Sequence, residues 1–368
     1  MIELTNIEKI AEQALTSERG ETQGKAKFAT YLSAREILMD EVLPEIKGVQ
    51  PLLTDHGPSH IVDVLTRAEW LLGKENEILR SFTGTELFSL LLCILFHDVG
   101  NIFDRREHQR RITTVYDYVR PQEQRKKDEK MIVLTAVGAH CGEAADGTKD
   151  TLKDVDETSP LDGRPVRLRQ IAAILRFADE LAEGPQRTSG FMQRQWNNSD
   201  ESGIFHKYAE ITNVFIDRGN ERIALTFHIR INTERDGPFN FDKEKKLITL
   251  LEFAYKRVIK LNQERQYTKY YSDFLASFKM TTAVFNFWIN GIPADMGMRE
   301  IKLTGLVVPG DSHKRLQEYD PSYEVETVMT KLREHCKARP HPAAHPGAPR
   351  ATPPARRTLL DRLLDIFR

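Results

Sequence analysis

The fold is decided by residues 91–101, LLCILFHDVGN, where a run of apolar residues ends in His97 and Asp98. A second apolar stretch, AAILRFADELAEGPQR at 172–187, carries Asp179. An unpaired imidazole or carboxylate in an apolar core costs roughly 2 to 7 kcal/mol. A bound metal ion removes that cost, so the sequence predicts that the two stretches meet at a metal site.

Two further histidines extend this set of ligand-competent groups. His60 lies in SHIVDV at 59–64 and His140 lies in LTAVGAHCG at 134–142, both in stretches with helical periodicity. The helices of a bundle can direct such side chains to a shared centre. A mixed set of imidazoles and carboxylates suits Mn, Fe, Co, Ni or Zn better than Mg alone, and Mg stays possible. One buried histidine is usually a hydrogen-bonded core residue, but four such positions together favour a metal site.

The order of these residues resembles that of a known family. His60, then His97–Asp98, then Asp179 follow the H…HD…D signature of the HD-domain superfamily of metal-dependent phosphohydrolases, which implies a helical core. In detail, HIVDV resembles the first-ligand helix of the family, FHDVGN its HDxGK or HDxGH element, and RFADELAEGPQR its last-ligand helix. The resemblance covers about residues 50–195 and favours the nucleotide-cleaving branch over the cyclic-dinucleotide branch.

The resemblance implies roles for individual residues. The central ion would be bound by His60, His97, Asp98 and Asp179. The catalytic groups, which would transfer protons or assist a second ion, would be His108 and His140. The residues themselves, rather than the resemblance, suggest that the substrate would be bound by His56, four residues before His60, and by Arg105, Arg106 and Arg187, whose guanidinium groups can bind phosphate. The chain departs from the family at Asn101, where many members carry Lys or His.

The residues assigned outside the central ion site could instead have purely structural roles. His56 could serve a turn or a cap, and His108 could lie at a solvated helix start. The arginines around 105–111 could form a solvated face, and Arg187 could make a surface ion pair. Cys141, which follows His140, is more simply a thiol without a role in the site, because a lone thiol in a reduced compartment is a weak indication of a metal ligand.

Composition limits the other possibilities. With 368 residues, 40% of them hydrophobic, the chain can bury one large core or a main domain with a smaller companion. A net charge of -1 argues against bulk binding of nucleic acid, whereas small charged ligands stay open. Three cysteines without a CxxC pair favour a reduced, cytoplasmic protein over a disulfide framework or a thiolate zinc site. No stretch reaches the roughly 18 apolar residues of a membrane span, so we expect a soluble chain with no membrane partner.

The pattern of elements predicts a mainly α fold, with a helical HD-type bundle followed by a smaller α+β unit and a flexible C-terminal tail. Thr85 can cap the helix of the apolar run and Gly100 can stop it, and the segment at 141–165 is typical of a loop. Period-two alternation around Gly219-Asn220 predicts a hairpin, and a long helix is expected at 241–277. The predicted parts are N-terminal helices packing on the core at 1–50, a metal-binding helical domain at 51–202, an α+β accessory domain at 203–336, a Pro-rich linker at 337–357 and an amphipathic helix at 358–368.

The tail suggests a separate interaction. Residues 358–368, TLLDRLLDIFR, form an amphipathic helix that is too short to be stable alone, so we expect it to bind a partner protein or another subunit. Homo-oligomers are common in the nucleotide-cleaving branch, so the resemblance also implies a homo-oligomer.

Three functions fit the sequence. The leading one is a metal-dependent phosphohydrolase whose substrate is a nucleotide, most simply a (deoxy)nucleoside triphosphate. The second is a phosphodiesterase or nuclease that acts on cyclic nucleotides, oligonucleotides or single-stranded nucleic acid. The third is a non-catalytic module that binds nucleotides as a sensor, which is disfavoured because every residue of the implied ion site is present.

Overall fold

The first part of the chain folds as a set of helices around one apolar helix. The computed structural model describes residues 3–49, 54–73, 77–103, 111–121, 126–144, 146–188, 201–233, 239–305 and 314–338. The predicted linker beyond Ala338 and the predicted helix at 358–368 lie outside these ranges.

Up to residue 188, helices and one short hairpin account for the regular structure of the described chain. The helices are α1 (Asn6–Arg19), α2 (Glu21–Ile37), a π-helical turn (Leu38–Val42), α3 (Leu43–Val49), α4 (Pro58–Leu72), α5 (Glu77–Arg80), α6 (Gly84–Phe96), α7 (Ile112–Val119), α8 (Lys127–Gly138) and α9 (Leu168–Leu181), with 3-10 turns at Val99–Ile102, Leu152–Asp154 and Pro185–Arg187. The hairpin pairs β1 (Ser159–Leu161) with β2 (Arg164–Val166).

Helix α6 is the centre of the helical part, because every one of its residues is buried and α1, α4, α8 and α9 pack around it. Helix α1 approaches so closely that a Cβ atom at Gly84 would clash with the backbone of Leu15. The helix begins with a capping box, in which Thr83 Oγ1 accepts from Glu86 N at 3.1 Å and Glu86 Oε2 accepts from Thr83 N at 3.0 Å. The prediction of Thr85 as the cap was wrong, since the N-cap is Thr83, two residues earlier.

The stretch Gly84–Ile102 is long and apolar enough to cross a membrane, contrary to the expectation that no such stretch exists. Of this window, 94% is buried inside the protein. Its composition therefore follows from its place at the centre of the core, where it contacts other helices on all sides.

The later part of the described chain contains a mixed sheet. Its elements are α10 (Glu201–Ile211), β3 (Thr212–Asp217), β4 (Arg222–Ile231), α11 (Phe241–Tyr271), a 3-10 turn (Asp273–Leu275), β5 (Met280–Ile289), β6 (Ile292–Ala294), β7 (Ile301–Leu303), α12 (Leu316–Tyr319), a 3-10 turn (Pro321–Tyr323) and α13 (Val325–Ala338). Strands β3 and β4 are antiparallel, β4 and β5 are parallel, and β6 and β7 both pair with β5. Helix α11 is the crossover between the two parallel strands.

Helix α11 covers one face of the sheet. The same helix connects the sheet to the helical part. Phe227 and Phe285 stack on the covered face with ring centroids 4.3 Å apart, and Tyr255 of α11 packs edge-on against Phe285. Helix α11 also contacts α9, where Arg176 binds Glu264 in a bidentate pair. The smaller unit is therefore anchored to the helix that carries Asp179.

Several local predictions need correction. The segment at 141–165 contains the β1–β2 hairpin, because Asp162 and Gly163 both have positive φ and form the tight turn that Asp-Gly favours. The predicted stop at Gly100 lies inside a 3-10 turn, and α6 ends earlier, at Phe96.

The hairpin at Gly219-Asn220 is confirmed, although its first strand begins later than the alternation suggests. The letters HKYAEI belong to α10, since Tyr208 packs on Phe253 of α11 with ring centroids 5.3 Å apart. The long helix ends at Tyr271, before the predicted residue 277. The fold class itself, mainly α with a smaller α+β unit, is confirmed, while the domain limits remain predictions.

Candidate metal centre

Three helix ends bring the predicted ligands together. His60 lies in the first turn of α4, which Pro58 begins, and Asp179 lies in the last turn of α9. His97 is the C-cap of α6, and Asp98 follows it before the 3-10 turn. The side chains of both histidines are fully buried, that of Asp98 is 6% exposed and that of Asp179 is 28% exposed. The cluster therefore opens to solvent on the side of Asp179.

The two imidazole nitrogens lie close to each other and to both carboxylates. His60 Nε2 lies 3.3 Å from His97 Nε2, 3.4 Å from Asp98 Oδ2 and 3.2 Å from Asp179 Oδ1. His97 Nε2 lies 3.3 Å from Asp98 Oδ2 and 3.6 Å from Asp179 Oδ1. Four ligands at bonds of about 2.1 Å in a tetrahedron are separated by about 3.4 Å. The observed distances are therefore compatible with a divalent metal ion at the centre of the cluster.

Hydrogen bonding on the far side of the ring prepares His97 as a ligand. Its Nδ1 donates to the carbonyl oxygen of Ile94 at 2.8 Å, which leaves the lone pair of Nε2 directed at the centre. His60 Nε2 faces the same point at 3.3 Å, so a proton or a metal ion must lie between the two nitrogens. His60 Nδ1 is a buried atom without a hydrogen-bond partner among the described residues, so this ring is oriented by packing.

The charges of the cluster explain its titration. Burial by itself raises the pKa of Asp98 and of Asp179, but the facing imidazoles outweigh burial and hold both pKa values well below the usual range. For His97, burial lowers the pKa, whereas the charge of Asp98 and the bond to Asp179 raise it well above its usual value. Without a metal ion the two carboxylates thus retain a proton on an imidazole, and a cation would take its place.

Comparison with known proteins places this site in a family. The HD-CE family profile matches residues 50–238, just over half of the chain, and this range contains all four ligands. The chain belongs to the HD-CE family. No curated protein and no solved structure matched the chain. Together, an HD-type domain and a cluster able to hold a metal ion indicate a metal-dependent hydrolase.

Asn101 has a role in the HD-CE site that sequence reasoning missed. Its side chain is buried, and Nδ2 donates to Asp98 Oδ1 at 3.0 Å. Since Oδ2 of the same carboxylate faces the histidines, Asn101 fixes the orientation of Asp98. The spacing Asp98-x-x-Asn101 was the available signal, because the 3-10 turn places residues three apart on one side.

His56 and Arg187 lie next to the cluster, while their role in substrate binding stays a prediction. His56 Nδ1 donates to Asp98 Oδ2 at 2.7 Å, and Arg187 Nη2 lies 3.2 Å from His56 Nε2. Burial, followed by the charge of Arg187, outweighs Asp98 and lowers the pKa of His56 to about 4. Arg187 also donates from Nε to the carbonyl oxygen of Asp55 at 3.1 Å, so it is fixed between two loops.

His140 also comes close to the cluster. Its ring lies edge-on to that of His97, with centroids 5.5 Å apart, and its Nδ1 donates to Val137 O at 2.5 Å. The neighbouring Cys141 remains a protonated thiol at neutral pH, because burial and then the charges of Asp179 and Asp98 raise its pKa to about 12. A neutral thiol agrees with the interpretation of Cys141 as a bystander.

Three of the predicted site residues cannot be placed against this geometry. Arg105, Arg106 and His108 lie outside the described residues. Their assignment to phosphate binding and proton transfer stays a prediction from the sequence.

Proposed function

We propose that this HD-CE protein is a metal-dependent phosphohydrolase whose substrate is a nucleotide, first of all a (deoxy)nucleoside triphosphate. The observation that carries the proposal is the convergence of His60, His97, Asp98 and Asp179, with ligand atoms all within 4.8 Å of one another. Such a centre needs no nucleophilic side chain, because a divalent ion supplies Lewis acidity and lowers the pKa of water from 15.7 towards about 7.

The chain's own residues hold and orient the reactants. Asp98 is fixed by Asn101 and His56, and Asp179 lies at the open side of the cluster, where a substrate has access. His140 keeps Nδ1 bonded to Val137, so Nε2 is the atom that can carry a proton to the leaving group.

Arg187 supplies positive charge beside the cluster. Its guanidinium is anchored through Nε and Nη2, while Nη1 lies 3.9 Å from Glu183 Oε2. That separation is too long for a strong ion pair, so Nη1 is the part of the side chain available to a phosphate oxygen. The arginines Arg105 and Arg106, from the sequence, would add further contacts to a polyphosphate.

The test is hydrolysis of defined nucleotides. Purified full-length protein is incubated with Mn²⁺ and each dNTP or NTP, the products are resolved, and the Asp98→Asn variant is the control. Release of phosphate or triphosphate by the wild type alone supports the proposal. No turnover of any nucleotide removes it. Mononucleotides released from a cyclic dinucleotide or a single-stranded oligonucleotide would identify a phosphodiesterase, and tight binding without turnover would identify a sensor.

A further inference from the structure

One side of strand β4 is left open over its last four residues. Strand β3 pairs with β4 only between Arg222 and Phe227, whereas β4 continues to Ile231 and pairs with β5 over its whole length. Between His228 and Ile231, therefore, β4 has a neighbouring strand on one side only among the described residues.

The backbone groups on that open side can be identified. Asn290 at the end of β5 donates to Ile231 O at 2.8 Å, so Ile231 directs its carbonyl towards β5. Successive residues of a strand direct their N–H and C=O groups to opposite sides. His228 and Arg230 therefore direct theirs away from β5, and none of the described residues pairs with them there. An unpaired edge of this kind is a template for another extended chain.

The open edge forms the floor of a groove, which we call the β4 groove. It has a volume of about 1050 Å³ and lies between α10, residues 228–232 of β4 and its continuation, and the first turns of α11. Ile211, Ile229 and Leu247 give it a buried apolar lining. An extended peptide could thus bury alternate side chains while its backbone pairs with the edge.

The rim of the β4 groove is basic. Five cationic side chains line it, against two acidic ones. The cations are Lys207, Arg230, Lys243, Lys245 and Lys246, and the acids are Glu210 and Asp242. Lys245 and Lys246 are exposed on α11, so they remain accessible to an anionic partner.

We propose that the β4 groove binds an extended, acidic peptide segment of a partner protein, which adds a strand to the edge at His228–Ile231. The charges disfavour a second copy of this chain as the partner, because the two basic rims would repel each other. They also disfavour the chain's own segment at 337–357, which carries five basic residues and no acid. Nucleic acid would satisfy the cations but would leave the N–H and C=O groups of the strand edge without backbone partners.

The test uses a synthetic probe and the full-length protein. The probe is a fluorescein-labelled peptide of alternating Glu and Val, about eight residues long, which spans the edge at ~3.3 Å per residue. Its binding is measured by fluorescence anisotropy. Three comparison ligands share the label: the same peptide with Lys in place of Glu, the Glu–Val peptide with alternate backbone nitrogens methylated, and a single-stranded oligothymidylate.

Two paired variants examine the site. Lys245→Glu with Lys246→Glu should weaken binding of the Glu–Val peptide by at least about tenfold, because it reverses the rim. The milder Lys245→Gln with Lys246→Gln should lie between that variant and the wild type. Lys9→Glu with Lys25→Glu, on the exposed faces of α1 and α2, should leave binding unchanged. Thermal unfolding of all three variants confirms that they are folded.

The proposal is supported if the Glu–Val peptide binds and both the Lys–Val and the methylated peptides fail to bind. Equal binding of the methylated peptide would overturn it, since the strand edge would then play no part. Tighter binding of the oligothymidylate would also overturn it, in favour of a phosphate-binding surface. Failure of the wild type to bind the Glu–Val peptide refutes the proposal whether or not the protein hydrolyses nucleotides, because none of the four candidate metal ligands lines the groove.

Discussion

At the candidate metal centre, His60, His97 and Asp98 are buried and their functional atoms are fixed by the ends of helices. In the β4 groove, Lys245 and Lys246 are exposed, and the fixed element is the backbone edge of a strand. The first site is specific through side chains whose burial is tolerable only with a cation among them. The second site would bind a partner by backbone hydrogen bonds, which any extended chain can form. The basic side chains would then select for an acidic partner. The two sites should therefore respond to different substitutions.

The largest effect is expected at the ligands. His97→Ala and Asp98→Asn should each reduce metal affinity by more than about 100-fold, since removing a ligand costs more than the 10–100-fold loss typical of its outer-shell partners. Metal content by elemental analysis and nucleotide hydrolysis are the measurements. His335→Ala, on helix α13 and outside the cluster, is the control. If both ligand variants kept their metal, or if they lost binding of the Glu–Val peptide as well, the separation of the two sites would fail.

The next largest effect concerns stability. Glu129 is buried in the helical part, where its carboxylate accepts from Arg120 Nε at 2.9 Å and Tyr116 OH at 3.1 Å and lies 3.4 Å from Lys27 Nζ. Glu129→Gln should lower the free energy of unfolding by about 3–5 kcal/mol, because it removes the buried negative charge that faces Arg120 and one of the two carboxylates beside Lys27. Urea unfolding measures this. The control Glu252→Gln, on the exposed side of α11, should change the free energy of unfolding by less than about 0.5 kcal/mol. If both variants lost the same free energy of unfolding, buried charge would not be what distinguishes the helical part.

Asn101→Ala gives a smaller effect that sharpens the contrast. It removes the hydrogen bond to Asp98 Oδ1 but no ligand, so metal affinity should fall by about 10–100-fold. Isothermal titration with Mn²⁺ or Zn²⁺ is the measurement. Asn286→Ala on the sheet serves as the matched control. Unchanged affinity in Asn101→Ala would show that packing alone orients Asp98.

The smallest effect is the pH dependence of metal binding. Burial by itself lowers the pKa of His97, but Asp98 and Asp179 outweigh burial and raise it. The pKa values of both carboxylates are lowered. A metal ion must therefore displace a proton from an imidazole, and affinity should rise by about tenfold per pH unit below the pKa of His97. Titrations in buffers of different ionisation enthalpy count the proton released. Affinity that falls as pH rises would contradict this account.

The cluster of candidate ligands could be predicted from the sequence, because each member lies at the end of an apolar helical stripe. His97–Asp98 closes α6, and Asp179 lies near the end of α9, so periodicity together with the family's order located them. The bond from Asn101 to Asp98 was not predicted, because it depends on the 3-10 turn after the helix. Turns of this kind are set by local hydrogen bonds, which apolar periodicity does not register.

The sheet was predicted less completely. Alternation located the hairpin at Gly219-Asn220, but the parallel pairing of β4 with β5 joins residues far apart in sequence. Helix α10 was misread as part of a strand, because its packing on α11 overrides the local pattern. The β4 groove depends on both of these tertiary features and on the short length of β3. It was therefore invisible in the sequence.

The neutral carboxamide of Asn101 has a consequence for how anions are attracted. Two ionised carboxylates, Asp98 and Asp179, balance the charge of a divalent ion, and two neutral imidazoles add nothing to it. The loaded core of the site would then be electroneutral, since Asn101 contributes no charge. Long-range electrostatic attraction of a polyanion would then come from guanidinium groups beside the site, such as that of Arg187. If the proposed nucleotide is the substrate, ionic strength would accordingly control its encounter with the site more than the bond-breaking that follows.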